Sequence, residues 1–222
     1  MSGGEPARPG DAAEAGGGAG PPPGGWPAPA AHPIHPLIAR RWSPRGFADR
    51  PVEDERLASV FEAARWAPSS RNEQPWSYVL ARRHGDPGWF RRLGSVLSEG
   101  NAWALDAPVL VLAVAQSRFR RNGRPNRHAW HDVGAASENM FLQAFAVGLV
   151  MHEMAGFDAD AARELLDLPA DRDPVAMIAL GPPAEGVVED ARAEGKSRGR
   201  RPLSSFVFEG GWERPAGLQG EP

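Results

Sequence analysis

Residues 107–116, "APVLVLAVAQ", form an almost unbroken run of aliphatic and β-branched side chains. A strand of this composition has no polar face to turn to water, so it must be covered on both sides, as in a sheet with helices packed against each face. The run contains the longest apolar segment of the chain and is far shorter than the roughly 20 residues of a membrane-spanning helix. A soluble protein is therefore expected, with no membrane partner.

A second constraint comes from "WHDVGAASENMFLQAFAVGLV", residues 130–150, which is long, weakly charged and rich in Ala and Gly. Such a helix is buried nearly all round and allows close backbone approach, which suits the centre of a domain or a dimer. Around these two segments the pattern predicts a short helix opening "HPLIARRWSPRGF" and broken by Pro44. An amphipathic helix follows in "PVEDERLASVFEAARWAP", then a strand in "WSYVLARR" and a helix in "DPGWFRRLGSVLSEG" that runs to Gly100. "LVMHEM" and "PVAMIAL" read as two more strands, separated by the helix "DADAARELLDL"; after Gly181 the periodicity is lost for about twenty residues. Strands separated by helices without a strict alternation predict an α+β fold, a central sheet flanked by helices.

Three organisational units follow from composition. Residues 1–31, rich in Gly, Pro and Ala, cannot bury enough apolar surface to offset their ordering entropy and read as a disordered tail without the basic start or apolar stretch of a signal peptide. Residues 32–213 are long enough for one domain with a sizeable core, and 214–222 read as a flexible end. The chain has no cysteine, which excludes disulfides, thiolate metal sites and cysteine nucleophiles and fits a cytoplasmic location. A net charge of −3 gives no reason to expect nucleic acid as a partner. Because Lys196 is the only lysine, an anion site in this chain is expected to be built from arginine.

Polar residues gather in three places. In "ARRWSPRGF", Pro44 and Gly46 bend the chain so that Arg41, Ser43 and Arg45 can turn towards one point, as a phosphate or another delocalised anion requires; the alternative is a solvated basic turn. In "APSSRNEQPW", Ser69, Ser70, Asn72 and Gln74 offer donors and acceptors suited to the edge of a heterocyclic ring, although a helix cap after Pro68 would use one or two of them. In "SRGRRPLSSF", Arg198, Arg200 and Arg201 precede an apolar segment that must dock somewhere, which would carry the arginines onto the body of the protein; the alternative is a charged tail. A rival reading assembles His128, His131, Asp132, His152 and Glu153 into the metal site of a hydrolase. No "HExxH" supports it, nor does "GAASEN" form a nucleophile elbow, so no metal is expected.

Taken in order, "RRWSPRGF", "AARWAPSSRNEQPW", "DVGAASENMFLQAFAVGL", "EMAGFD" and "RGRRPLSSFVF" resemble the FMN-dependent nitroreductase family over residues 35–213. The resemblance implies a mixed central sheet and an intertwined homodimer with FMN in clefts at the interface. It implies that Arg41 and Ser43 hold the FMN phosphate beside Trp42, and that Arg45 places a cation near the flavin pyrimidine. Pro68, Ser69, Ser70, Asn72 and Gln74 would reach into the partner's cleft. Met154, Ala155 and Gly156 would pack beside the central ring, Arg198 and Arg200 would reach the phosphate with Arg201 as a third, and Asn101 would touch the pyrimidine edge.

The activity implied is transfer of hydride from NAD(P)H through flavin N5 to a small electrophilic acceptor: a nitroaromatic, a quinone or an activated alkene. No acid–base side chain is needed for the hydride itself. Two departures stand out: "GPP" at 181–183 replaces a Gly-Tyr-Pro type sequence, and the lid region containing "RNGRPNRHAW" is short. Other flavin chemistry in the same fold, dehalogenation or flavin fragmentation, and a non-catalytic FMN-binding protein are the alternatives.

Overall fold

Residues 26–218 are described by the computed structural model. Trp76–Arg82 (β1), Val109–Gln116 (β2), Val150–Met154 (β3) and Arg172–Gly181 (β4) form one sheet in the spatial order β1, β2, β4, β3. Six α-helices surround it among the described residues: Pro36–Arg40 (α1), Asp54–Arg65 (α2), Pro87–Gly94 (α3), Ala129–Ala146 (α4), Ala159–Leu165 (α5) and Val187–Ala193 (α6).

Every residue of β2 is buried. Its side chains divide by the period of two: Val109, Val111 and Ala113 pack with Leu57 and Val60 of α2 and with Val133 and Met140 of α4. Leu110, Leu112 and Val114 pack on the other face with Phe90 and Leu93 of α3 and Ala162 of α5. The apolar run is thus two half-strands of core, one for each helical layer.

Every strand pairing is antiparallel, which corrects the expected mixed sheet. The reason is the strand order. β2 and β3, joined through α4, run in the same direction, but β4 lies between them and pairs antiparallel with both. The register of β2 against β4 slips between Ala113 and Val114, where Pro174 enters the strand. Proline has no N–H for the ladder, and a bulge is where a sheet interior accepts it.

Two helix expectations change. The predicted helix over 86–100 stops at Gly94, because the Ser95 hydroxyl donates to the Arg92 carbonyl at 2.8 Å; a separate 3-10 turn then spans Glu99–Asp106. α6 occupies the stretch without periodicity. It follows Gly186 at φ +73° and carries Glu189 and Asp190 in its first turn, where carboxylates complement the helix dipole. Only a shallow face of it is covered, with Ala191 buried, so no apolar period marks it in the sequence. Of residues 26–31, assigned by composition to the tail, Trp26 and Ala28 are half-buried against the domain, and the Ala28 N–H donates to the Ala39 carbonyl at 2.8 Å. At the other end 214–218 folds back, with a bridge between Phe208 and Pro215. The remainder of both predicted tails lies outside the described residues. Among the described residues, no helix is long and apolar enough to cross a membrane.

Candidate active site

A cavity of about 600 Å³ opens where the segment after α1, the strand β3 and the chain around and beyond α6 meet. The bend predicted in "ARRWSPRGF" builds its floor. α1 ends as the Arg41 N–H donates to the Leu37 carbonyl at 2.9 Å, and Arg41 itself turns to an extended backbone with ψ 133°. Its guanidinium lies 5.2 Å from the Phe141 ring centroid on α4, donates to Ser43 Oγ at 3.3 Å, and stands 3.9 Å from the Glu138 carboxylate. One hydroxyl and one long ion pair leave most of its donors available.

Pro44 is fixed by His152 of β3, whose Nδ1 lies 2.9 Å from the Pro44 carbonyl. A carbonyl only accepts, so Nδ1 carries the hydrogen. Burial lowers the His152 pKa, Arg45, Arg41 and Lys196 lower it further, and the bond to Pro44 opposes them. The ring is therefore neutral at pH 7, with Nε2 an acceptor. The Trp103 ring lies tilted by 51° against His152, with centroids 4.6 Å apart, and Arg45 sits 5.4 Å from the Trp103 centroid. Gly46 is a tight position: a Cβ there would stand 3.0 Å from Val187 Cγ2, so that side chain of α6 would have to give by a few tenths of an ångström. The Ala184 N–H donates to the Gly46 carbonyl at 3.2 Å, and the Ala48 N–H to the Pro182 carbonyl at 2.9 Å. "GPP" at 181–183 is thus the brace beneath Arg45.

Five cations line the cavity, Arg41, Arg45, Lys196, Arg198 and Arg200, against two carboxylates, Asp190 and Glu194. Glu194 is paired with Lys196, which leaves the arginines in excess. Burial chiefly holds Arg198 below its ordinary pKa, and the nearby charges of Arg41 and Arg200 lower it further. Its donors are committed within the chain: Nη1 to the carbonyls of Trp26 and, at 2.7 Å, Ala39, and Nη2 to that of Arg41 at 2.7 Å. Among the described residues Arg200 donates only to its neighbour Gly199, at 2.9 Å, and it is exposed.

Six of the sequence-derived residues, Arg41, Trp42, Ser43, Arg45, Arg198 and Arg200, therefore share one cavity. The others lie outside it in the single chain. Arg201 stands 6.0 Å from the Phe206 ring. Met154 closes β3 in the core, and the Gly156 carbonyl accepts from Ser98 N at 3.1 Å, Ser98 Oγ at 2.8 Å and Asn101 Nδ2 at 2.8 Å. A Cβ at Gly156 would fall 2.5 Å from Asn101 Nδ2, so this chain has its own reason for glycine there. The loop Pro68–Gln74 is pinned to the first turn of α4, where buried Asp132 accepts the Ser70 N–H at 2.9 Å. Arg71, Asn72 and Gln74 all have positive φ, 57°, 53° and 51°, a conformation costly for Arg and Gln.

Sequence reasoning weighed His152 only as a rival metal ligand and missed its place in this cavity, together with Trp26, Gly46 and α6. His152 was legible: alternation in "VMHEM" sets it on the same face as buried Val150 and Met154. Trp26 and α6 carry no such signal. Among the described residues no three His, Asp or Glu side chains converge as a metal site, so His128, His131 and His152 do not assemble.

A helix-covered antiparallel sheet with an arginine- and tryptophan-lined cavity on its edge strand defines a class of α+β proteins. The Nitroreductase family model matches residues 38–102 and 95–182. An NADH dehydrogenase of Thermus thermophilus is 30% identical over 204 residues, covering 76% of this chain and 92% of that protein. A crystal structure described as an oxidoreductase containing FMN superposes with a TM-score of 0.75 at 31% identity, covering 83% of this chain and 96% of the other. A protein of Desulfovibrio desulfuricans solved in complex with FMN gives 0.63 at 29% identity, covering 81% and 99%. The chain belongs to the nitroreductase family.

Proposed function

We propose that the chain is an FMN-dependent oxidoreductase that takes electrons from NAD(P)H and passes them to a small electrophilic acceptor, working as a homodimer in the cytoplasm. The observation that carries this reading is the convergence of Arg41, Ser43, Arg45 and Arg200 on one cavity. The donor set fits the cofactor. About 600 Å³ lies within the roughly 300–1,000 Å³ of small-molecule pockets, and guanidinium forks with a hydroxyl match a phosphate monoester.

Arg41, Ser43 and Arg200 would hold the phosphate. Arg45 makes no hydrogen bond or ion pair among the described residues and is fixed against Trp103, so it would supply a standing positive charge that favours the reduced, anionic ring. When bound, FMN supplies the hydride chemistry. His152 holds the Pro44 carbonyl and thereby sets where Arg45 stands. Ser70 Oγ and the Asn72 side chain form no hydrogen bond within the described residues, which supports the reading that the Pro68–Gln74 loop serves a partner's cleft. Met154, Ala155, Gly156, Asn101 and Arg201 stay with the proposal as cofactor neighbours implied by the resemblance.

Purified protein is expected to be yellow, to hold one FMN per chain, and to bleach anaerobically with NADH or NADPH. In Arg45→Ala the bleaching should slow about tenfold, the loss of one partly shielded charge, with a smaller change in FMN affinity. A colourless protein that ignores added FMN would overturn the assignment. Yellow protein bleached by neither nicotinamide would leave a flavin-holding role instead.

A further inference from the structure

We propose that the segment beginning at Trp26 is a strap that retains the ligand of the cavity, with Trp26 as a wall of the site and Arg198 as the latch. The inference rests on the FMN reading above. Composition assigns this segment to a solvated tail, yet Trp26 lines the same cavity as Arg41, Ser43 and Arg45. Its ring meets Trp42 edge-on, with centroids 5.6 Å apart and planes at 70°, and Arg192 of α6 lies 5.9 Å from its centroid. The Trp26 carbonyl and the last carbonyls around α1, those of Ala39 and Arg41, all accept from the one Arg198 guanidinium.

That arrangement gives Arg198 a different task from the phosphate contact implied by the resemblance. A guanidinium whose Nη1 and Nη2 point at backbone carbonyls joins three pieces of chain: the N-terminal segment, the end of α1 and the loop after α6. Ala28 adds a backbone bond to Ala39 at 2.8 Å, and the prolines at 27 and 29 stiffen the segment. Arg198 is a positioning residue here, and Trp26 is what it positions. An aromatic wall held on a cation and a second indole resists the departure of whatever lies behind it.

Two measurements test this. The dissociation rate of FMN, followed by recovery of flavin fluorescence after dilution of the full-length holoprotein, should rise about tenfold in Trp26→Ala and about twofold in Trp26→Phe. In the protein without FMN, the Ala28 amide should exchange slowly in the wild type and rapidly in Arg198→Gln. A Trp26→Ala rate within about twofold of wild type would overturn the strap, as would tighter binding in that variant, which would make Trp26 a plug. Fast exchange of the Ala28 amide in the wild type would also overturn it. If the wild type binds no FMN, the functional reading falls, while the exchange at Ala28 still decides whether the segment is latched.

Discussion

Arg41→Ala is expected to lower FMN affinity about 100-fold, the loss of charge-assisted hydrogen bonds worth about 2.7 kcal/mol. Arg41 is the cation best placed for this role. Its side chain is 18% exposed, it is braced by the Phe141 ring, and among the described residues it is engaged only by Ser43 and a long pairing with Glu138. Arg41→Lys keeps the charge and loses the planar fork, so about a tenfold loss is expected. Fluorescence titration of the apoprotein measures both. Because truncation also uncovers Phe141, a stability cost of about 1 kcal/mol should accompany it, and a denaturant midpoint separates the two effects. An unchanged dissociation constant in Arg41→Ala would remove this residue from the phosphate site. The opposite ranking, with Arg45→Ala losing FMN and Arg41→Ala only slowing its reduction, would reverse the assigned roles.

Gly181→Ala should destabilise the protein by about 3 kcal/mol and lower Tm by roughly 6–12 °C. A Cβ there would stand 2.4 and 2.5 Å from Pro108 Cγ and Cδ and 3.4 Å from Phe47. A proline ring cannot swing aside as the end of a long side chain can, so strand β4 must move. The movement would reach the site. Phe47 pairs with Pro183 and the Ala48 N–H with the Pro182 carbonyl, and this pairing carries Arg45 and Gly46. Weaker FMN binding should therefore accompany the lower Tm. Gly100→Ala is the control: its Cβ would meet nothing within 4 Å, and thermal unfolding should change by no more than about 0.5 kcal/mol. Equal melting of the two variants would mean that the 181–183 brace carries no strain.

The two-sided burial of β2 and the long buried helix α4 were legible because apolar patterning reports directly on what a strand or helix must hide. The arginine–serine bend was legible too, since proline and glycine mark turns locally. Arg198 was harder: sequence can show a guanidinium near a site but not whether its donors will face a ligand or the chain's own carbonyls. His152 was weighed only as a metal ligand and set aside for want of an "HExxH", although the alternation of its strand marked the face it occupies. α6 escaped because a helix that buries little has no period to read. Strand direction was misjudged for a topological reason, since no local feature announces that β4 will insert between two strands that precede it.

That insertion orders events in time. β2 and β3 precede β4 in the chain and, in the finished sheet, run in the same direction one strand's width apart, with residues 172–181 filling the space between them. Until those residues are available, the facing edges of both strands expose unpaired backbone groups, and any extended segment from another molecule is a competitor for the gap. The final strand is therefore the keystone of the sheet, and a chain interrupted before Arg172 would be left open at its centre rather than at its margin.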